Sequence, residues 1–211
     1  MQCYVFFGIQ GSGKGTQAEL LSRELDFQHV NMGDLLREQV SQQTELGRRV
    51  QDIIARGELV PDDLIFEIID ISLLPGCQGI VFDGFPRTVN QAEYLVRHFE
   101  VLQVFFLELD EAEAIERISS RRVCSECGAN FNLISHKPLR EGVCDICGGD
   151  LAIRKDDRPE AITKRLKEFY EQTLVLKEFF SELRLLSVIK ASGSVTSIAR
   201  DINAVVHQVK H

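Results

Sequence analysis

The chain has 211 residues, a formal charge of −8 and a 44% hydrophobic share. That length holds one domain with insertions or two small domains, with a substantial core in either case. The acidic balance argues against broad nucleic-acid binding, and no apolar run approaches the roughly 20 residues needed to span a bilayer.

The first apolar run, Cys3–Phe7, reads as a strand. It leads into Gly8-Ile9-Gln10-Gly11-Ser12-Gly13-Lys14-Gly15-Thr16, and helical spacing follows from Thr16 to Leu25. Strand, glycine loop, lysine and helix is the order of a phosphate-binding P-loop. The glycines let several backbone N–H groups turn toward one anion, and the helix N-terminus adds positive potential. Gly15 follows the lysine, so the hydroxyl residue, Thr16, comes one position late.

Four further runs, 28–31, 79–83, 102–109 and 185–190, also read as strands. Helical patterns separate them, so the expected fold is α/β with a mostly parallel sheet. Ligands collect at the carboxyl ends of such strands. That expectation brings Gly8–Thr16, Asp83–Arg87 and Ser192–Ser194 to one crevice. After the second strand, Asn31 or Gly33 is positioned to cap a helix with Arg37 on its first turn. A second helix is expected over Glu45–Ala55, ending at Gly57, and a third after Pro61. The third strand ends in Asp83, a position suited to a carboxylate acting on Mg²⁺ through water. Arg87 follows in the loop, and Thr88 can cap the next helix.

Beyond Arg117 and Arg121-Arg122 comes Cys124-x2-Cys127, sixteen residues, then Cys144-x2-Cys147. Two such knuckles can place four thiolates around a structural Zn²⁺, a lobe whose metal replaces a missing core; two disulfides are the alternative. His136 lies between the knuckles and is expected not to ligate. Cys3 and Cys77 read as small buried apolar residues. Pro159 fits the start of a long helix through Arg165, Phe169 and Leu176. A last strand, Leu186–Lys190, leads through Ser192-Gly193-Ser194 to a final helix. The N-terminal Met1–Tyr4 lacks the features of a secretory signal, so a cytoplasmic location is expected.

Six segments in order resemble the adenylate kinases: Gly8–Thr16, Gly33–Arg37, Leu59–Asp62, Asp83–Thr88 with Gln91, Arg121–Val123, and Arg154–Asp157. The cysteines resemble the bacterial long-lid type that carries zinc. The resemblance implies a P-loop fold with a five-stranded parallel sheet flanked by helices. It implies a core of residues 1–30, 61–121 and 159–211, a monophosphate-binding lobe at 31–60 and a lid at 122–158. It implies Mg²⁺ with ATP, structural Zn²⁺ in the lid, and a monomer acting on ATP, AMP and ADP, without nucleic acid or membrane. Lys14, Asp83, Arg87, Arg121, Arg154 and Arg165 would be the catalytic group. ATP would meet Gly11, Ser12, Gly13, Lys14, Gly15, Thr16, Arg117, Arg121, Asn130, Phe131 and Gly193. AMP would meet Met32, Arg37, Glu58, Leu59, Val60, Gly84, Phe85, Pro86, Arg87, Gln91, Arg154 and Arg165, with Gln91 reading the adenine edge. Gln10 stands where the family's loop commonly has proline, and Met32 where threonine is usual. Kinases for UMP or CMP, and a zinc-ribbon nucleic-acid module, are the competing readings.

Overall fold

The computed structural model describes residues 1–154 and 157–209. Its centre is a five-stranded parallel sheet of β1 (Gln2–Gly8), β2 (Gln28–Asn31), β3 (Gly79–Asp83), β4 (Glu100–Glu108) and β8 (Leu186–Lys190). The order is β2-β3-β1-β4-β8, with every adjacent pair parallel. The five apolar runs expected as strands are these strands, shifted by at most two residues at an end.

β1 shows why the run is continuously apolar. Cys3, Val5 and Phe7 enter one core cluster, and Tyr4 and Phe6 enter the other. A strand covered on both faces has no polar side to alternate with. Over one face pack Ala18 and Leu21 of α1 (Lys14–Leu25) and Ile198, Ile202 and Val206 of α9 (Val195–Val209). Over the other pack α4 (Asp62–Ser72), α5 (Val89–His98) and α8 (Leu176–Glu182), through side chains such as Ile68, Leu95 and Phe180.

Between β2 and α4 lie α2 (Met32–Ser41) and α3 (Glu45–Ala55). Asn31 caps α2 by accepting from Asp34 N–H at 3.0 Å, which settles the choice between Asn31 and Gly33. Because α2 starts at Met32, Arg37 falls on its second turn and not its first. The Thr44 hydroxyl caps α3 at 2.9 Å, and Thr88 caps α5 at 3.1 Å. After β4, α6 (Glu111–Ser119) leads to a three-stranded antiparallel sheet of β5 (Arg121–Cys124), β6 (Asn130–Asn132) and β7 (Leu151–Ala152), ordered β6-β5-β7.

The long helix expected after Pro159 is interrupted. α7 (Pro159–Glu168) passes into a π turn over Phe169–Thr173 before α8 begins. A π turn inserts one residue into the helical ladder and is common beside functional sites. Here it turns Thr173 inward, and its hydroxyl donates to the Arg87 carbonyl at 2.9 Å. Apolar spacing continues through the interruption, so the sequence pattern did not reveal it.

Candidate active site

Because the sheet is parallel, Gly8, Asn31, Asp83, Glu108 and Lys190 end their strands along one edge. β1 runs straight into the glycine loop. Gly13 is the N-cap of α1 with φ +89°, a conformation that glycine adopts without strain. The helix begins at Lys14, two residues before the spacing predicted. Lys14 Nζ donates to the carbonyls of Gly8 at 2.8 Å and Ile9 at 2.9 Å, so the lysine folds over its own loop. The Ser12 hydroxyl is buried and has no hydrogen-bond partner among the described residues. Buried polar atoms are normally satisfied, so an orphan donor in an anion-binding loop fits a phosphate oxygen.

The electrostatics converge on Lys14. Its pKa is lowered to about 7, chiefly by burial; Asp83 opposes that shift, while Arg87, Arg165 and Arg121 reinforce it. One lysine and three arginines therefore share a small volume at the edge of the sheet. Such a concentration of positive charge attracts a polyanion.

Asp83 is 6% exposed. Its Oδ2 accepts from Asn31 Nδ2 at 2.6 Å, and His29 Nε2 lies 4.0 Å away. Burial raises its pKa; Lys14, His29 and Arg87 pull it back down. A Cβ on Gly15 would stand 3.1 Å from Asp83 Oδ2. The glycine after the lysine thus lets α1 approach the carboxylate. A buried carboxylate facing the loop lysine fits a hydrated Mg²⁺ arriving with a nucleotide.

Two arginines are tied through one acid. Arg121 Nε donates to Asp157 at 2.8 Å, its Nη2 makes a second contact, and Arg165 Nη1 lies 3.5 Å from the same carboxylate. The Asp157 side chain is wholly buried. Lys155 and Asp156, from the same motif, lie outside the described residues. Asp157 was not among the expected site residues, although a buried acid between two arginines fixes both guanidinium planes.

Other expected residues take these places. Arg87 Nε donates to the Gly84 carbonyl at 2.8 Å, in the loop holding Phe85 and Pro86, whose peptide bond is cis. Arg154 donates to Asn130 at 2.7 Å and comes within 4.0 Å of Asp34, which also pairs with Arg37 at 2.5 Å. Arg154 thus bridges the β6 strand and α2. Met32 is buried in the core cluster, leaving an apolar thioether where the family usually offers a hydroxyl. Phe131 is buried against Cys124 and Cys144. Arg117 pairs with Glu113 at 2.6 Å, and Glu58 with Arg56 at 2.9 Å. Gln10 reaches the Arg165 carbonyl at 3.5 Å, a contact that proline could not make. Gly193 lies in the β8–α9 loop, which Gln17 of α1 ties down through the Val195 carbonyl at 3.0 Å. Leu59, Val60, Asp62 and Thr88 line a cavity of about 430 Å³, with Lys164 and Glu168 of α7 on its wall. A larger one, about 790 Å³, runs along α8 and β8 and includes none of the residues above.

The four knuckle cysteines come together with all Sγ atoms within 4.8 Å of one another. Cys124 faces Cys147 at 3.4 Å and Cys127 faces Cys144 at 3.6 Å, too long for disulfides. Four sulfurs ~2.3 Å from one ion would stand about 3.8 Å apart, so the cluster is compatible with Zn²⁺. Backbone N–H groups, first that of Cys127, lower the Cys124 pKa to about 7. At Cys147 the Gly149 N–H pulls the same way, but the crowding thiols outweigh it and push the pKa up to about 12. One negative charge in the cluster thus opposes the next until a cation offsets them. His136 instead packs on Phe131, ring centroids 5.3 Å apart. Cys3 is buried and its thiol pushed up to about 12 by that burial, which makes it inert. Cys77 is only half-buried, with Sγ 3.5 Å from Met1 Sδ.

A glycine loop, a buried acid and a ring of arginines could serve several phosphoryl-transfer families, and sequence comparison decides among them. A family profile described as Adenylate kinase matches residues 6–184. An adenylate kinase of Caldicellulosiruptor bescii is 39% identical over 94% of this chain and 95% of its own length. One of Thermosipho africanus is 40% identical over 94% and 96%, and one of Methanocella arvoryzae 38% identical over 98% and 99%. With matches running nearly end to end in both directions, the chain belongs to the adenylate kinase family.

Proposed function

We propose that the chain transfers the γ-phosphoryl group of Mg·ATP to AMP, reversibly, giving two ADP. The observation that carries the reading is Lys14 folded over its glycine loop, within electrostatic reach of Asp83, Arg87, Arg121 and Arg165.

The chemistry follows from charge. The bond from the γ-phosphorus to its bridging oxygen breaks while a bond to an AMP phosphate oxygen forms. The acceptor is already an oxyanion, so no proton moves and no general base is needed. The work is to overcome repulsion between two anions and to stabilise charge on the transferring group. Arginine forks suit planar arrays of phosphate oxygens. The glycine loop with Lys14 would hold the ATP phosphates; Arg37 and Arg87 would hold AMP; Arg121, Arg154 and Arg165 would span both. Mg²⁺, when bound with ATP, would screen phosphate charge, with Asp83 holding its water shell. Gln91 would meet the AMP base beside Leu59 and Val60.

In this reading residues 31–60 and 122–158 are lobes that close over the nucleotides and exclude water. The contact of Arg154 with both Asn130 and Asp34 supports such closure, because it joins the two segments. Zn²⁺ on Cys124, Cys127, Cys144 and Cys147 would stiffen the second lobe. We further infer a cytoplasmic monomer with no nucleic-acid partner. The net charge of −8 speaks against a nucleic-acid partner, and no helix among the described residues is long and apolar enough to cross a membrane.

The test is ADP formation from Mg·ATP with AMP, UMP or CMP as acceptor. AMP should be preferred by at least tenfold. A protein that phosphorylates UMP or CMP better, or none of the three, overturns the reading.

A further inference from the structure

Gln91 sits in the first turn of α5 and is 3% exposed. Its side-chain amide is held at both ends. Nε2 donates to Asp62 Oδ1 at 2.6 Å, and Oε1 accepts from Arg87 N–H at 2.8 Å. The two partners are not interchangeable. As a carboxylate, Asp62 only accepts; a backbone N–H only donates. Rotating the amide by half a turn would set oxygen against oxygen at one end and N–H against N–H at the other.

Asp62 is itself fixed. It opens α4, where the helix N-terminus favours a negative charge. Asn90 Nδ2 donates to it at 2.7 Å and the Thr88 hydroxyl at 3.2 Å. The carboxylate therefore cannot swing away to release the amide.

A primary amide offers two N–H donors and two acceptor lone pairs. With one of each engaged, Gln91 keeps one donor beside one acceptor. Their order is set by the lock. That pair complements a base edge presenting a ring-nitrogen acceptor beside an amino donor. A 6-amino purine has that edge. A 6-oxo purine, with a ring N–H beside a carbonyl, presents the reverse.

We propose that Asp62 is a specificity-setting positioning residue: by locking the Gln91 amide against rotation, it makes the acceptor site take 6-amino purine monophosphates and reject 6-oxo ones. The inference rests on the proposed function, in which Gln91 meets the acceptor base. A site whose buried hydrogen-bonding groups are left mismatched rejects the wrong partner by large factors.

The probe is IMP, which differs from AMP at the atoms facing such an amide. Wild-type protein should favour AMP over IMP by a kcat/KM ratio of at least 100. In Asp62→Asn the new amide can match either orientation of Gln91, so the Arg87 N–H alone is left to oppose its rotation. The ratio should then fall at least tenfold, with kcat/KM for IMP rising in absolute terms; general structural damage would lower both. An unchanged ratio in a folded Asp62→Asn overturns the lock and leaves the AMP kinase reading standing. Wild-type protein inactive with AMP overturns that reading, and the inference with it. The side-chain amide spectrum of Gln91 decides the matter if the variant does not fold. One orientation with an Nε2–H close to Asp62, in free and AMP-bound wild-type protein, is the expected result; two exchanging orientations overturn the proposal.

Discussion

Asp83 Oδ2 stands 3.1 Å from the position a Cβ would take on Gly15, and Asn31 Nδ2, which donates to the same oxygen at 2.6 Å, would itself lie 3.6 Å from that Cβ. The lysine's own helix and the residue that caps α2 thus meet at one carboxylate oxygen. Replacing Gly15 with alanine should gain up to ~1 kcal/mol of helix propensity. It should also press on the buried Asp83 carboxylate and on the Asn31 amide that donates to it. The expected result is a melting temperature near wild type and kcat lowered about tenfold. A fully active Gly15→Ala would show that this closeness is dispensable.

Asp157 should matter as much as the arginines it holds. Asp157→Ala leaves Arg121 and Arg165 without their shared buried partner. The two guanidiniums keep some solvent access, so we expect a stability loss of roughly 2–3 kcal/mol, below the range for fully buried pairs. If Arg121 and Arg165 hold phosphate as proposed, their displacement should also lower kcat by about 10²-fold. Arg87→Ala and Arg121→Ala should lose roughly 10³-fold, as expected of a positioned arginine in phosphoryl transfer. Denaturant melts and steady-state rates on the same samples separate the effects. An Asp157→Ala protein that loses stability but keeps its rate would reduce Asp157 to a structural role.

These two acids show what the sequence could and could not reveal. Asp83 was legible because an apolar strand ending in an acid has a known place relative to a glycine loop. Asp157 was quoted within a motif, yet nothing in its spacing says that it lies buried between two arginines 36 and 8 residues away. Such side-chain pairings depend on tertiary packing, which hydrophobic periodicity does not encode. The strands and caps were legible for the opposite reason, since each is set by a few adjacent residues. The π turn at Phe169–Thr173 escaped because it preserves the apolar face. The four cysteines were the clearest signal, because their spacing is the geometry of the site.

Removing the metal should separate stability from chemistry. The core of the cysteine module is small: Cys124, Phe131 and Cys144 are its buried apolar residues. Metal binding would then supply most of its folding energy. Treatment with a chelator, or Cys144→Ser, should lower the melting temperature by more than ~10 °C. At 10 °C the same samples should keep at least a third of their activity, because the arginines sit outside the module's core. Equal loss of stability and low-temperature activity would mean that the metal shapes the site itself.

Lys14 should make nucleotide binding proton-linked. Its pKa in the ligand-free fold is lowered to about 7 by burial, with Arg87, Arg165 and Arg121 adding to the shift. An unfolded lysine titrates near 10.4. Between those values the unfolded chain binds the extra proton, so the ligand-free protein gains stability as pH rises through that window. Below pH 7 the penalty of a charged, crowded lysine is fully present. Entry of a polyanion reverses the balance and favours the charged lysine. Binding of Mg·ATP at pH 8 should therefore draw close to one proton from the buffer, while binding at pH 6 draws almost none. Calorimetry in two buffers of different ionisation enthalpy reads that number directly. Lys14→Met should weaken binding, abolish the uptake at pH 8 and flatten the rise in ligand-free stability above pH 7. Proton uptake that survives in Lys14→Met would assign the linkage to another group and leave the lysine charged throughout.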